Sequence, residues 1–192
     1  MRMTRRSGMA KTDESGPIFA GTGGVVLGEA RTNHEGRKAI LLVRDNENTT
    51  EFVALVATMG ITIVETLHQP GQLDPRGYFG KGRLQDVADE LSSRIGSHPW
   101  QGVDLVLLHT NASPRQLVSV SEVVQIEVWD RVRLLLSLFT SHASSLEART
   151  QVRIARMQSD RTVLRELANQ QTTGERAGYG GGGITALQAT IA

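Results

Sequence analysis

The feature that most constrains this chain is an alternation. Four short runs of β-branched and aliphatic residues, Ala39 to Val43, Ile61 to Val64, Val103 to Leu108 and Val124 to Val128, are separated by stretches whose apolar residues recur at helical spacing. Compact apolar runs of this length suit strands buried in a parallel sheet. Between the first two, Phe52, Val53, Val56 and Met59 form a helical stripe behind an N-cap at Asn48 or Thr49, and Gly60 stands where a helix ends. The segment His68 to Leu84 is rich in proline and glycine, so it reads as an extended loop that runs into the next helix. That helix spans about Lys81 to Ile95, with Leu84, Val87, Ala88, Leu91 and Ile95 as its apolar stripe. Ser113 and Pro114 occupy the N-cap and first helical positions of a short helix carrying Leu117 and Val118. Strands alternating with helices, joined by right-handed crossovers, give an α/β fold: a small four-stranded parallel sheet with flanking helices.

Beyond the fourth run the period changes. Asp130 is placed to cap a helix in which Val132, Leu135, Leu136 and Phe139 fall at i, i+3, i+4 and i+7, a face that needs a partner. Leu134 and Leu138 widen the stripe. Ser144 or Ser145 opens a second helix, with Glu147 in its first turn and helical character to about Ala168. Arg149, Arg153 and Arg156 are spaced by four and three, so they share one sector of that helix, and Arg161 and Arg165 follow. The resulting division is a flexible segment over 1–36 with one short strand at Val25 to Leu27, a parallel α/β subdomain over 37–129, a helical subdomain over 130–170, and a flexible tail over 171–192 that contains Gly180 to Gly183.

Several chemistries are excluded. The net charge is +1 over 192 residues, so a basic site has to be built by local arrangement. The absence of Cys removes disulfides, thiolate catalysis and Cys-ligated zinc, and fits a cytoplasmic location. His34, His68, His98, His109 and His142 include no pair at metal-ligand spacing, so no metal site is expected. No apolar run is long enough for a membrane span. The basic start at Met1 to Arg6 lacks the apolar segment of a secretory signal.

What remains is anion chemistry. Gly80-Lys81-Gly82 stands at a helix start, where backbone N–H groups and a lysine can hold an anion; Gly82 replaces the Ser or Thr of a nucleotide P-loop, and the plain alternative is a turn. Gly21 to Gly24 is a weaker glycine motif, with no clear strand before it or helix after it. His109 follows the third strand beside Asn111 and Ser113, at the edge where such sheets bind ligands, or else satisfies its own loop. The arginine row suits a phosphate backbone; the alternative is a solvated face partly neutralised by Glu147, Asp160 and Glu166. Aromatic residues, 4% of the chain, are too few for a base-stacking platform. No catalytic constellation emerges, so no catalytic residue is assigned.

Three segments, Leu73 to Leu91, Val103 to Leu117 and Trp129 to Met157, resemble in order and spacing the N-terminal domain of the HflX family of ribosome-associated GTPases. The resemblance covers roughly 38–170 and implies a parallel α/β subdomain followed by a helical hairpin, joined in the family to a P-loop GTPase domain. It further implies docking on the large ribosomal subunit, with the hairpin tip near the peptidyl-transferase region of ribosomal RNA. On this reading Arg149, Arg153, Arg156, Arg161, Arg165 and Arg176 meet RNA phosphates, and Gly180, Gly181, Gly182 and Gly183 allow close approach. There are departures. The family's GPGE sequence, returning helix and GTP-binding P-loop do not occur, so the hairpin is expected to be incomplete. The family's QVELA pattern reads Gln151 to Ala155 with Arg153 in place of the acid. The expectation is a non-enzymatic ribosome-binding module without cofactors of its own, GTP and magnesium belonging to a separate GTPase domain that could act in trans. The alternatives are a nucleotide-binding domain or enzyme using Lys81 and His109, and a degenerate relative that forms a homodimer through apolar helix faces.

Overall fold

The computed structural model describes residues 33–71 and 74–178, the side chains of 171 and 173–178 excepted. The strands are β1 (Lys38–Arg44), β2 (Thr62–Gln69), β3 (Val103–Leu108) and β4 (Glu127–Trp129). The helices are α1 (Thr50–Thr58), α2 (Lys81–Ser92), α3 (Pro114–Val124), α4 (Arg131–His142) and α5 (Leu146–Gly178). All strand pairs are parallel, and the order across the sheet is β2-β1-β3-β4. The expected α/β fold is therefore present.

The central strands explain the apolar runs. Ala39 to Val43 and Leu105 to Leu108 are fully buried, and alternate residues point to opposite faces. On one face Ile40, Leu42, Val106 and Leu108 pack with Tyr78, Phe79, Leu84, Val87 and Leu91 from the α2 side and with Val120 and Val124 of α3. On the other, Leu41, Val43, Leu105 and Leu107 pack with Phe52 and Val56 of α1, Trp129 of β4 and Leu134 of α4. At Gly60, φ is +74° and an added Cβ would lie 2.9 Å from the Glu35 Cα, so this helix stop admits glycine alone.

Four local expectations need correction. The run Val124 to Val128 is not one strand: α3 continues to Val124, Gln125 ends it with φ +57°, and only Glu127–Trp129 pair. Val120 and Val124 are four apart and reach the core from a helix, which the Ser113–Gln116 capping box starts in the right register. The α2 helix stops at Ser92, leaving Ile95 exposed. Residues before Arg37 belong to the packed unit: His34 is buried edge-on against Trp129 at 5.0 Å, and the Gly36 N–H donates to Gly60 O at 2.9 Å. Finally, α5 runs past the expected end of the helical subdomain, to Gly178. The expected strand at Val25 to Leu27 and the glycines at 21–24 and 180–183 lie outside the described residues.

Among the described residues, no helix is long and apolar enough to cross a membrane.

Candidate functional site

Two regions could carry function: the carboxyl edge of the sheet and the α4–α5 pair. At the carboxyl edge, β1 and β3 are neighbours whose onward connections leave in opposite directions, the crevice where ligands usually enter such sheets. Here the protein's own side chains fill it. The Tyr78 hydroxyl accepts from the Arg44 N–H at 3.1 Å and lies 3.4 Å from the Leu42 and His109 carbonyls. Burial pushes its pKa up to about 12, so it stays a neutral donor. His109 Nδ1 meets Glu47 Oε2 at 2.7 Å across the same crevice, and its ring lies edge-on to Phe52 at 5.2 Å. Of the two readings of His109, the structure thus places it as a bridge between the β1 and β3 loops.

The loop before α2 is tied down in the same way. Asp74 Oδ1 accepts from Arg76 N at 2.7 Å and Gly77 N at 3.1 Å, while Gln116 donates to the Asp74 carbonyl at 3.3 Å. The Arg44 guanidinium donates to the Gly71 carbonyl, and Asp45 Oδ1 accepts from Gly71 N at 3.0 Å. Gly80, Lys81 and Gly82 do stand at the N-terminus of α2, but the Gly80 N–H already donates to Gln69 Oε1 at 3.0 Å. That leaves one fewer backbone donor for an anion there.

The α4 helix is rotated relative to the expected stripe. Asp130 accepts from Arg133 N at 2.8 Å and Ala112 N at 3.1 Å, which fixes how the helix leaves β4. Burial raises the Asp130 pKa, opposed by these backbone donors. With that start, Leu134 faces the sheet and Arg133 and Ser137 are buried beneath it, while Val132 and Phe139 are exposed, Phe139 at 55%. The expected face of Val132, Leu135, Leu136 and Phe139 therefore points away from the sheet.

Arg133 forms a buried ion pair with Asp160 of α5. Arg156 lies beside them, and burial together with the Arg133 charge lowers its pKa to about 10. At the other flank, Val163 and Leu167 pack on Val118 and Leu117 of α3. The seam that holds α5 is thus charged toward α4 and apolar toward α3. Sequence reading missed it; the signal was Arg156 and Asp160 at i, i+4 on the same helix face as Val163.

The arginine row is split by this packing. Arg156, only 6% exposed, is removed from any polyanion-facing surface, a correction to the expected row. Arg149, Arg153, Arg161 and Arg165 are exposed, and Arg149 donates to the Ala143 carbonyl at 3.0 Å. The backbone of Arg176 is in α5, but its side chain lies outside the described set.

Comparison with known proteins converges on one description. Residues 46–140 match the family model described as GTP-binding GTPase N-terminal. GTPase HflX of Methanocaldococcus jannaschii is 28% identical over 120 residues, 62% of this chain and 28% of that protein. GTPase HflX of Thermofilum pendens is 26% identical over 165 residues, 82% of this chain and 37% of that protein. A GTP-binding protein from Sulfolobus solfataricus, solved in complex with GDP, superposes with a TM-score of 0.56 at 22% identity, over 73% of this chain and 42% of that one. The chain thus spans well under half the length of each relative, and at that identity the superposition shows the fold alone.

Proposed function

Since this chain carries the N-terminal domain of the HflX family of GTPases, we propose that it associates in the cytoplasm with the large ribosomal subunit and contacts ribosomal RNA through α5. The observation that carries this reading is the set of exposed arginines, Arg149, Arg153, Arg161 and Arg165, along one helix of 33 residues, about 50 Å in length. Guanidinium groups suit phosphate because they are always charged and offer several donors in a plane. Phosphate contacts also require no aromatic stacking, and the described surface offers no cluster of exposed aromatic rings.

GTP hydrolysis is assigned to a P-loop domain outside these residues, because no GxxxxGK[ST] sequence occurs in the chain. The chain's role is then recognition, with GTP and magnesium handled by the GTPase domain. The carboxyl edge is a poorer candidate for a ligand, since Tyr78, His109 and Glu47 occupy the crevice with contacts of their own.

Co-sedimentation with purified large subunits tests the reading. Binding is expected at moderate salt, and each arginine that contacts a phosphate should reduce the salt dependence by about one unit of log–log slope when changed to Gln. Failure to sediment with the subunits, or binding and salt slope unchanged when Arg149, Arg153, Arg161 and Arg165 are all replaced by Gln, overturns it.

A further inference from the structure

The seam between α4 and α5 is short of hydrogen-bond acceptors. Arg156 of α5 is almost wholly buried, yet among the described residues it forms no ion pair, and its Nε has no hydrogen-bond partner. Ser137 of α4 has no exposed surface, and its Oγ is likewise without a partner. More accessible hydroxyls on these helices behave differently: those of Thr140, Ser141, Thr150 and Thr162 each donate to a carbonyl three or four residues back. The two unsatisfied groups also face one another. Residues 143–145 join α4 to α5, so the helices run antiparallel, and Arg133 of α4 pairs with Asp160 of α5. Ser137 lies one turn on from Arg133 along α4, and Arg156 one turn back from Asp160 along α5.

A guanidinium that has lost water and found no acceptor is costly. Charge makes the deficit specific. Arg133 and Arg156 set two cations against the single carboxylate of Asp160, and burial first, then the Arg133 charge, hold the Arg156 pKa down. The next carboxylate, Glu127, already accepts from Arg37 at 2.9 Å and from the Trp129 indole at 2.7 Å. We propose that the α4–α5 seam binds a small monovalent anion, of which chloride is the probe, between the Arg156 guanidinium and the Ser137 hydroxyl. One negative charge neutralises the group of Arg133, Arg156 and Asp160, and one anion accepts from Nε and Oγ together. A water molecule in its place would fill the hydrogen bonds and leave the extra charge. Because the anion contacts both helices, its binding favours the docked position of α5 by mass action. The site is separate from the exposed arginines Arg149, Arg153, Arg161 and Arg165, and the inference stands without ribosome binding.

The test follows deuterium exchange in α5 of the full chain at constant ionic strength, with sodium chloride replacing sodium isethionate, whose bulky sulfonate does not fit between packed helices. Exchange should slow saturably, by about tenfold when chloride reaches about ten times its dissociation constant. Ser137→Ala should weaken the chloride response by about tenfold, since it removes one hydrogen bond to a charged acceptor. Arg156→Met should abolish the response, and in isethionate its α5 should exchange no faster than that of the unaltered protein, because no surplus buried charge is left. Arg161→Gln and Arg165→Gln, at exposed positions, should leave the response as it is. Crystals grown in sodium bromide should show an anomalous scattering peak between Ser137 Oγ and Arg156 Nε. Equal exchange in the two salts, a response that never saturates, chloride dependence that survives Arg156→Met, or water and no bromide between the two groups would each overturn the proposal.

Discussion

In the sheet, Ala39 to Val43 and Leu105 to Leu108 have no exposed surface and fill two apolar clusters, whereas α5 meets the rest of the molecule through Val163 and Leu167 at α3 and the Arg133–Asp160 pair at α4. Burial of aliphatic area is non-directional and its contribution grows with the area removed from water. A buried ion pair has its attraction largely offset by desolvation, so its main effect is to fix one geometry. The difference teaches a division of labour: the α/β unit supplies the stability, while α5 is positioned by specific charges and left to present its outer side.

The largest effect should come from the sheet side. Phe52→Ala removes a ring with no exposed surface from the cluster between β1, β3, α1 and α4 and should cost about 3–5 kcal/mol. In urea, every spectroscopic probe should lose structure together; unfolding of α5 alone would break the comparison. Next is Asp160→Ala. It leaves the Arg133 and Arg156 charges facing one another without their carboxylate, and should weaken α5 docking by about 3 kcal/mol. Deuterium exchange should rise in α5 while β1 and β3 keep their protection. Replacing both members of the pair, Arg133→Met with Asp160→Leu, should return the exchange to near its original level, because no buried charge is then left unpaired. Exchange in α5 that ignores Asp160→Ala would show that the α3 contact alone holds the helix.

The same contrast explains what the sequence could convey. The strand runs at Ala39 to Val43 and Val103 to Leu108 were legible because a parallel strand buried on both faces has to be apolar throughout. Caps at Ser113, at Asp130 and at Ser144 or Ser145 were legible because their hydrogen bonds are local; of the last two it is Ser145 whose Oγ accepts from Ala148 N, at 3.1 Å. The rotation of α4 was not legible: leucines run almost all around it, and its facing is set by the Asp130 bond to Ala112, eighteen positions away in the chain. For the same reason the face of Val132 and Phe139 was expected to find a partner, whereas both are exposed and it is Arg133 and Ser137 that are buried. In the candidate site, spacing correctly put Arg149 and Arg153 on one helix side, but only tertiary packing shows that Arg156 has turned inward to Asp160. Tyr78, the plug of the carboxyl edge, left no local signal: it sits in the loop between β2 and α2 with φ +62°, and its three hydrogen-bonding neighbours are Leu42 and Arg44 of β1 and His109 just past β3.

Tyr78 also offers the smallest and most selective test of the division. Unfolded, its hydroxyl ionises near 10; in the folded sheet burial moves that to about 12. Between those values the unfolded chain has released the proton and the folded chain still holds it, so folding takes up a proton and stability falls as pH rises through the window. The loss should approach roughly 2 kcal/mol near the upper end and be absent below the unfolded pKa. Tyr78→Phe lowers stability at every pH by leaving the Arg44 N–H without its acceptor, but should remove this part of the slope. Urea unfolding of the two proteins across the window measures the difference. Because Tyr78 joins β1 to the end of β3 and packs in a cluster with no α5 residue, the part of the slope that Tyr78→Phe removes belongs to the sheet. Arg156, with its pKa at about 10, titrates in the same window in both proteins, so the pH dependence of exchange at Val163 and Leu167 should be the same in both until global unfolding becomes the opening route. Earlier loss of protection there, with Tyr78 ionisation as its cause, would mean that the two regions share one stability after all.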